Sequence, residues 1–365
     1  MALKYVYRKL FCNVYIKIKE TLQKRRRLAI EKKEHNKEKR GYDPNVIRIA
    51  FVNYSGHGSF ILFTSVFDQF VTYSNNRLKY MVVKKYRPDI VIFSVFGDKK
   101  EIDKFDTPYK IFNTGENVSE NAIADDYKQY FDNCVNETKL SVGFDFENTC
   151  TSDNYIRYPL GLQCFFRPFF NKDDIKKKLD EFGSRDLKQK FCSLISRHDI
   201  RQTRTAMYER LSEIGRIDCP SALFHNDNTL KTEFNDNKCL YLRQYKFNIC
   251  PENSLTKGYV TEKLWEALYS GCIPIYACGN TEDPEPGIIN PDIFIGFNPN
   301  NIDDAVVKEV KLLNENERLL KSWWEKPIFC DTAVDKIYEI LQKYNKKMYE
   351  IIENVIQEKQ AKNIK

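Results

Sequence analysis

Residues 245–276 constrain the fold more than any other part of the sequence, because they join a strand pattern, a helix pattern and a second strand pattern. The apolar run Phe247–Cys250 is typical of a short buried strand, closed by Pro251. The following stretch, VTEKLWEAL, has apolar residues at the spacing of a packed helix, with Thr261 as its N-cap. The run CIPIYAC then predicts another strand, and this order is typical of an α/β sheet.

Lys263 lies in the first turn of that predicted helix, where a cation opposes the helix dipole. The position is unfavourable unless an anion is bound there, and phosphate is the usual occupant of a strand-to-helix crossing. Arg204 has an equivalent position, in the first turn of a helix that follows the strand-like QKFCSLIS and a loop containing Ser196. Each cation alone would more often be an ordinary surface base, but two at two helix starts suit a nucleotide diphosphate.

The same residues resemble a known family. The string FN-C-ENS, then GYVTEKLWEAL, then GCIPIY is similar to the donor-binding signature of the α1,3-fucosyltransferases, which transfer fucose from GDP-fucose with inversion at the anomeric carbon. About thirty residues match in nearly continuous register, which is far more specific than a lone Gly-rich turn. Three shorter matches follow the family's order within residues 46–300: TGEN at Thr114–Asn117, the Ser196 loop that leads to Arg204, and YIRYPL at Tyr155–Leu160.

Short apolar runs alternate with helical stretches along the chain, which predicts the α/β fold class. VIRIAFVNY, DIVIFSVFG, YKIFNTG and LSVGFDF predict the strands of an acceptor-side domain over residues 45–168. We interpret the charged stretch Asn171–Lys190 as a linker, after which the alternation resumes in a GDP-fucose-binding domain, residues 185–330. The resemblance implies that two Rossmann-like domains face each other across a cleft, the GT-B architecture, here with terminal helices.

The resemblance also assigns roles in the donor site. Arg204 and Lys263 would bind the diphosphate and neutralise the leaving GDP. Glu262 would contact the fucose and stabilise the positive charge that develops on its ring, although the helix dipole alone also explains an acidic residue in a first turn. The other matches to donor-contacting positions are Ser196, Asn253 and Tyr259. The Ser196 loop departs from the family in carrying Arg197 where asparagine is common.

Glu116 is the candidate general base that would take the proton from the attacking hydroxyl. It follows the strand-like YKIFN at the end that should face the cleft, and TGEN matches the family's acidic motif. The residues that usually follow in the family are replaced here by Val118–Glu120, so Glu120 is the alternative base.

The expected reaction is an inverting transfer of L-fucose from GDP-fucose to the 3-hydroxyl of N-acetylglucosamine in a β-galactoside-containing glycan. Two alternatives stay open: a related nucleotide-sugar transferase with another donor or acceptor, and a catalytically inactive glycan-binding or membrane-adaptor protein. No cofactor is expected. Metal ligands are not indicated either, because the four histidines are scattered and no clear Asp-x-Asp follows a strand. The eleven cysteines lie mostly in apolar runs without a CxxC spacing, which is typical of reduced core thiols.

The net charge of +7 is concentrated at the N-terminus. Residues 1–40 hold 14 Lys and Arg against four Asp and Glu, so the rest of the chain is mildly acidic. Charged residues interrupt every apolar run there, which excludes a membrane span. We interpret residues 1–44 as a basic amphipathic arm of a cytoplasmic protein, in peripheral contact with the inner face of a membrane. A helix packed on the protein or a solvated basic arm also explains the pattern, and no motif for nucleic acid accompanies it.

The C-terminal residues 331–365 carry a heptad stripe. Its members are Val334, Ile337, Leu341, Tyr344, Met348, Ile351 and Val355. A helix that packs back on the N-terminal domain explains the stripe, and so does a coiled coil that forms a homodimer. Both interpretations stay open from the sequence.

Overall fold

The structure is a computed structural model of the chain. It describes residues 32–41, 43, 45–54, 58–73, 79–119, 122, 124–146, 149–183 and 189–363. The first 31 residues of the N-terminal arm and Glu120 therefore lie outside the described residues. Within the described part, no helix is long and apolar enough to cross a membrane.

The first domain contains a sheet of six parallel strands in the order β2-β1-β3-β4-β5-β6. The strands are β1 (Val46–Val52), β2 (Lys79–Val83), β3 (Ile90–Phe93), β4 (Lys110–Asn113), β5 (Leu140–Gly143) and β6 (Tyr155–Arg157). The three central strands after β1 are short and buried along nearly their whole length, as expected for a parallel sheet covered on both faces.

The second domain contains a sheet of five parallel strands in the order β11-β10-β9-β7-β8. These strands are β7 (Lys190–Ser193), β8 (Ile217–Asp218), β9 (Tyr245–Ile249), β10 (Ile273–Tyr276) and β11 (Ile295–Gly296). The strand order reverses between β7 and β9. In open α/β sheets, ligands bind beyond the carboxyl ends of the strands at such a reversal.

Helices cover the two sheets. They are α1 (described over residues 32–40), α2 (Gly58–Tyr73), α3 (Leu160–Phe165), α4 (Lys172–Asp180), α5 (Thr203–Ser212), α6 (Thr229–Thr232), α7 (Lys238–Leu242), α8 (Glu262–Tyr269), α9 (Asp304–Glu315), α10 (Glu317–Trp324) and α11 (Ala333–Asn363). Shorter 3-10 segments occupy Lys99–Lys104, Asp125–Cys134 and Pro291–Ile293. Two Rossmann-like α/β domains, as predicted from the alternating pattern and the family resemblance, are confirmed.

The charged stretch after residue 170 is not simply a linker. Asn171 accepts a hydrogen bond from the backbone of Asp174, whose side chain in turn accepts from the backbone of Asn171. This capping box begins α4, and α4 buries Ile175 completely. The density of charge concealed a capped helix with one buried residue, so this connection between the domains is structured and packed.

Helix α11 packs on the first domain. Six of the seven side chains in the heptad stripe are buried, and Val334 is partly buried. The ring of Tyr344 contacts those of Tyr158 and Phe63, with centroids 5.6 and 6.1 Å apart, and Lys359 pairs with Asp89 at 2.8 Å. Packing within the chain is therefore confirmed for this stripe. A coiled-coil dimer through the same side chains is wrong, because they are already covered.

The described end of the N-terminal arm is docked on the same domain. The carboxylate of Glu38 in α1 accepts hydrogen bonds from the backbone N–H groups of Lys84, Lys85 and Tyr86. Glu34 pairs with Lys84 at 2.6 Å, on the surface. Residues 32–40 thus belong to the folded body, although the sequence placed them in the arm.

Candidate functional site

The candidate site lies between the two domains, at the carboxyl ends of β9 and β4. Its centre is the loop of residues 251–258, which follows β9 and leads into α8. The loop that leads into α5 lies beside it, at the reversal point of the second sheet. The TGEN motif, which follows β4 of the first domain, contacts the same loop from the other side.

Arg204 is a buried cation at the start of α5. Its Nη2 donates to the carbonyl oxygen of Pro251 at 2.9 Å and to Oδ1 of Asn253 at 2.7 Å, and its Nη1 donates to the carbonyl oxygen of His198 at 3.0 Å. These partners are all neutral. Burial lowers the pKa of Arg204, with Asp199 and Glu252 acting against that shift. Among the described residues no carboxylate lies within 4.0 Å of the guanidinium, so its charge is left available for a bound anion.

Ser196 is connected to Arg204 through a shared acceptor. Its hydroxyl donates to the carbonyl oxygen of His198 at 2.8 Å, which is the same oxygen that accepts from Arg204. Ser196 and Arg204, which follow β7, are thereby brought together with Asn253, which follows the neighbouring strand β9. Arg197, the departure from the family, is exposed.

Lys263 does not need an external anion to explain its position. Its Nζ lies 3.3 Å from Oε2 of Glu252 and 3.6 Å from Oε1 of Glu262, and it donates to the hydroxyl of Thr261 at 2.8 Å. Burial alone would lower the pKa of Lys263, but the two carboxylates outweigh burial and raise it. The inference from the helix dipole was therefore incomplete, because the chain supplies counter-charges of its own.

Glu252 is a functional candidate that sequence reasoning missed. Its side chain is fully buried and accepts hydrogen bonds from the backbone N–H and the hydroxyl of Thr261, both at 2.7 Å. The hydroxyl of Tyr276 donates to it at 3.1 Å. Thr261 is the N-cap of α8, as predicted, but its side chain binds Glu252 instead of the helix. An acidic residue three positions after a buried strand, next to Asn253 in the matched motif, was the available signal.

Glu116 and Glu262 come from different domains and share one electrostatic environment. Burial raises the pKa of Glu116; Lys263 opposes this shift, while Glu262 and Glu252 add to it. For Glu262, burial acts upward, but Lys263 and Lys238 outweigh it and lower the pKa. Two carboxyl groups with opposite shifts are suited to different tasks, one to accepting a proton and the other to remaining ionised.

Tyr259 forms part of the boundary between the domains. It is buried, and its ring meets that of Phe144 edge-on with centroids 5.0 Å apart. Phe144 follows β5 of the first domain, so the predicted donor-contacting tyrosine also packs across the cleft. All seven predicted site residues that the structure describes thus line or support one cleft.

A close approach of α3 to α8 holds the two domains together beside the site. A Cβ atom on Gly161 would lie 2.3 Å from Cδ1 of Trp265 and 2.8 Å from the carbonyl oxygen of Thr261.

Gly161→Ala is therefore expected to lower the free energy of unfolding by about 1–3 kcal/mol, because neither the buried indole nor the backbone can yield. Chemical denaturation measures this change. Gly41→Ala is the control, since its nearest contact would be an ordinary 3.6 Å, and an equal loss in both variants would contradict the close-packing argument.

Two α/β domains, each with a parallel sheet, that face each other across a cleft define a GT-B-type glycosyltransferase fold. Two family models match the chain: glycosyltransferase family 10 (fucosyltransferase) C-term over residues 185–364, and the alpha-(1,3)-fucosyltransferase FucT N-terminal domain over residues 59–163. The chain belongs to this family of fucosyltransferases.

Individual proteins agree with this assignment. The chain is 26% identical over 317 residues to alpha-(1,3)-fucosyltransferase FucT of Helicobacter pylori, an alignment that covers 78% of the chain and 61% of the relative. It is 27% identical over 188 residues to the human 4-galactosyl-N-acetylglucosaminide 3-alpha-L-fucosyltransferase 9, covering 50% of the chain and 47% of the relative. The chain thus spans less than two thirds of the length of these curated relatives.

A solved structure has the same fold. The crystal structure of alpha1,3-fucosyltransferase with GDP-fucose superposes with a TM-score of 0.53 at 22% identity, covering 84% of this chain and 92% of the other. The similarity extends over both domains, so this chain shares the fold of a protein that was crystallised with GDP-fucose.

Proposed function

We propose that the protein is an inverting, metal-independent fucosyltransferase. It transfers L-fucose from GDP-fucose to the 3-hydroxyl of N-acetylglucosamine in a β-galactoside-containing glycan. Family membership supports the donor, and the name of the human relative supports the acceptor.

The observation that carries the proposal is the environment of Arg204. A buried guanidinium whose hydrogen-bond acceptors are all neutral, at the strand-order reversal of an α/β sheet, is suited to an anionic ligand. Lys263 lies on the other side of the 251–258 loop, at the start of α8. A diphosphate between the two cations would be neutralised most strongly as the glycosidic bond breaks and negative charge grows on GDP.

The two glutamates divide the remaining chemistry. Glu262 stays ionised and stabilises the positive charge that develops on the fucose ring. Glu116, from the opposite domain, takes the proton from the acceptor hydroxyl, and its raised pKa makes it a better proton acceptor than an exposed glutamate. Attack from the first domain on a sugar held by the second places the nucleophile opposite the leaving group, as inversion requires.

Incubation with GDP-fucose and a panel of galactose–N-acetylglucosamine acceptors tests the function. We expect acceptor-dependent release of GDP and a product whose linkage analysis shows fucose on the 3-hydroxyl. Release of GDP without a fucosylated product, or transfer only from another nucleotide-sugar, would contradict the proposal.

Chelator treatment should leave fucose transfer largely intact. In this site Arg204 and Lys263 take the place that a divalent cation has in metal-dependent transferases, namely neutralising the diphosphate. Initial rates measured with and without a chelator, at saturating GDP-fucose, provide the test. A complete loss of activity that manganese restores would show that a metal ion performs that task.

The N-terminal arm is proposed to hold the enzyme against the cytoplasmic face of a membrane. Residues 1–30 carry nine Lys and Arg against one acidic residue, and basic residues near an anionic surface contribute about 1 kcal/mol each. Deleting residues 1–30 should lower binding to anionic vesicles by more than about tenfold, yet leave transfer to soluble acceptors unchanged. The deletion keeps the docked Glu38. If the full chain and the chain without residues 1–30 bind anionic vesicles equally in a sedimentation assay, the membrane proposal is contradicted.

A further inference from the structure

Asn117 bridges the two domains through hydrogen bonds that none of the roles above uses. Its Nδ2 donates to the hydroxyl of Ser254 at 2.7 Å and to that of Thr256 at 2.9 Å. The two hydroxyls are themselves 2.9 Å apart, and Oδ1 of Asn117 accepts from the backbone of Ser119 at 3.0 Å. Asn117 and Ser254 are both buried, with exposures of 5% and 2%. Both N–H groups of one amide are thus engaged with the opposite domain.

Each end of this bridge adjoins a group of the candidate site. On the first domain, Asn117 directly follows Glu116. On the second domain, Ser254 directly follows Asn253, which accepts a hydrogen bond from Arg204. Glu252, which pairs with Lys263, is one residue further back. The 251–258 loop therefore contacts both cations at one end and the residue beside the proposed base at the other.

We propose that Asn117 is a positioning residue that couples occupancy of the donor site to the placement of Glu116. This inference rests on the proposed function. A diphosphate bound by Arg204 and Lys263 restrains the 251–258 loop, and the bridge passes that restraint to the TGEN segment. Separating the bridge would leave the buried Nδ2 donor of Asn117 without a partner, so the loop and TGEN are favoured to move together. Because coupling between sites is reciprocal, a positioned TGEN also favours the donor-bound loop.

Hydrogen exchange with GDP as the probe tests the coupling without any turnover. In the unaltered chain, GDP should slow amide exchange in the 251–258 loop and also in residues 113–119 across the interface. In Asn117→Ala, we expect the protection of residues 251–258 to remain and that of residues 113–119 to disappear. Protection of residues 113–119 that persists in Asn117→Ala, or that is missing in the unaltered chain, would overturn the proposal.

Steady-state kinetics gives a second measurement. Asn117→Ala should lower kcat by about tenfold to a hundredfold, since a displacement of about 1 Å in a reacting group has effects of that size. The KM for GDP-fucose should rise by a smaller factor than kcat falls, because the cations are untouched and only the reciprocal contribution of the bridge is lost. An increase in that KM with an unchanged kcat would assign Asn117 to donor binding instead.

Variants on the opposite side of the bridge and a matched control complete the experiment. The double variant Ser254→Ala/Thr256→Val removes the same hydrogen bonds from the second domain, so it should also abolish the protection of residues 113–119 and lower kcat. Combining it with Asn117→Ala should cause little further decrease in kcat. Asn345→Ala also removes a buried amide, which donates to the carbonyl oxygen of Pro168, outside both the 251–258 loop and TGEN, and should keep GDP-dependent protection of residues 113–119. Loss of that protection in the Asn345 variant would show that Asn117→Ala acts by lowering the overall stability of the protein and not through the bridge. If the protein shows the coupling with GDP but transfers no fucose, the proposed function is contradicted while the inference that the bridge couples the two segments stands.

Discussion

Glu116→Gln is expected to lower fucose transfer by about 10²–10⁴-fold while GDP-fucose still binds. The amide keeps the shape and hydrogen-bonding capacity of the side chain but cannot accept the proton of the attacking hydroxyl. The cations that hold the donor belong to the other domain, so chemistry and binding should separate. Initial rates and donor titration by calorimetry measure the two effects.

The pH profile and a second variant test the same assignment. Burial raises the pKa of Glu116, so the unaltered enzyme should lose kcat/KM as the pH falls through a value above that of an ordinary glutamate. Glu116→Gln should no longer show this acid limb. Glu120→Gln is expected to be mild, and near-normal transfer by Glu116→Gln with an inactive Glu120→Gln would move the base four residues along the chain.

Lys263→Ala should lower transfer by about 30- to 1,000-fold, which corresponds to about 2–4 kcal/mol of transition-state stabilisation. The helix dipole alone would predict a more stable fold without this cation. The structure predicts the opposite, because removing Lys263 leaves the fully buried Glu252 without its cation. Breaking a buried pair in this way costs up to about 3–5 kcal/mol of unfolding free energy.

The double variant Lys263→Ala/Glu252→Gln separates the two consequences of losing Lys263. Neutralising Glu252 removes the unpaired buried charge, so the double variant should regain stability relative to Lys263→Ala but should not regain transfer. Lys308→Ala, on the exposed surface of α9, should change neither quantity. Recovery of transfer together with stability would show that Lys263 acts only through the fold.

Much of the fold was predictable because its information is local. Apolar runs such as Phe247–Cys250 are buried strands, and the apolar spacing of VTEKLWEAL matches the buried face of α8. The family signature lies in one continuous segment, so the matched register placed Asn253, Tyr259 and Lys263 around the loop that the structure places in the cleft. The predicted alternation therefore led to the correct α/β class, but the predicted strands extend beyond the observed ones: β7 ends at Ser193, three residues before the end of QKFCSLIS.

Contacts between distant segments were not predictable. Glu252 was passed over because its importance depends on Tyr276, Thr261 and Lys263, which the fold gathers around it. The heptad stripe of α11 was consistent with two partners, since a buried helix face has the same periodicity in a dimer and in a monomer. Only the position of Tyr344 against Tyr158 decides between them.

The sequence by itself determined two Rossmann-like domains, the family, and the candidate charged residues Arg204, Lys263, Glu116 and Glu262, because periodicity and a continuous motif are properties of neighbouring residues. Tertiary structure alone decided how those charges are paired. It leaves Arg204 with neutral partners and gives Lys263 two carboxylates. It also joins Asn117 to the 251–258 loop across 137 residues of sequence. The energy of a charge depends on burial and on the neighbours that folding brings to it, and neither is encoded at the position of the charged residue.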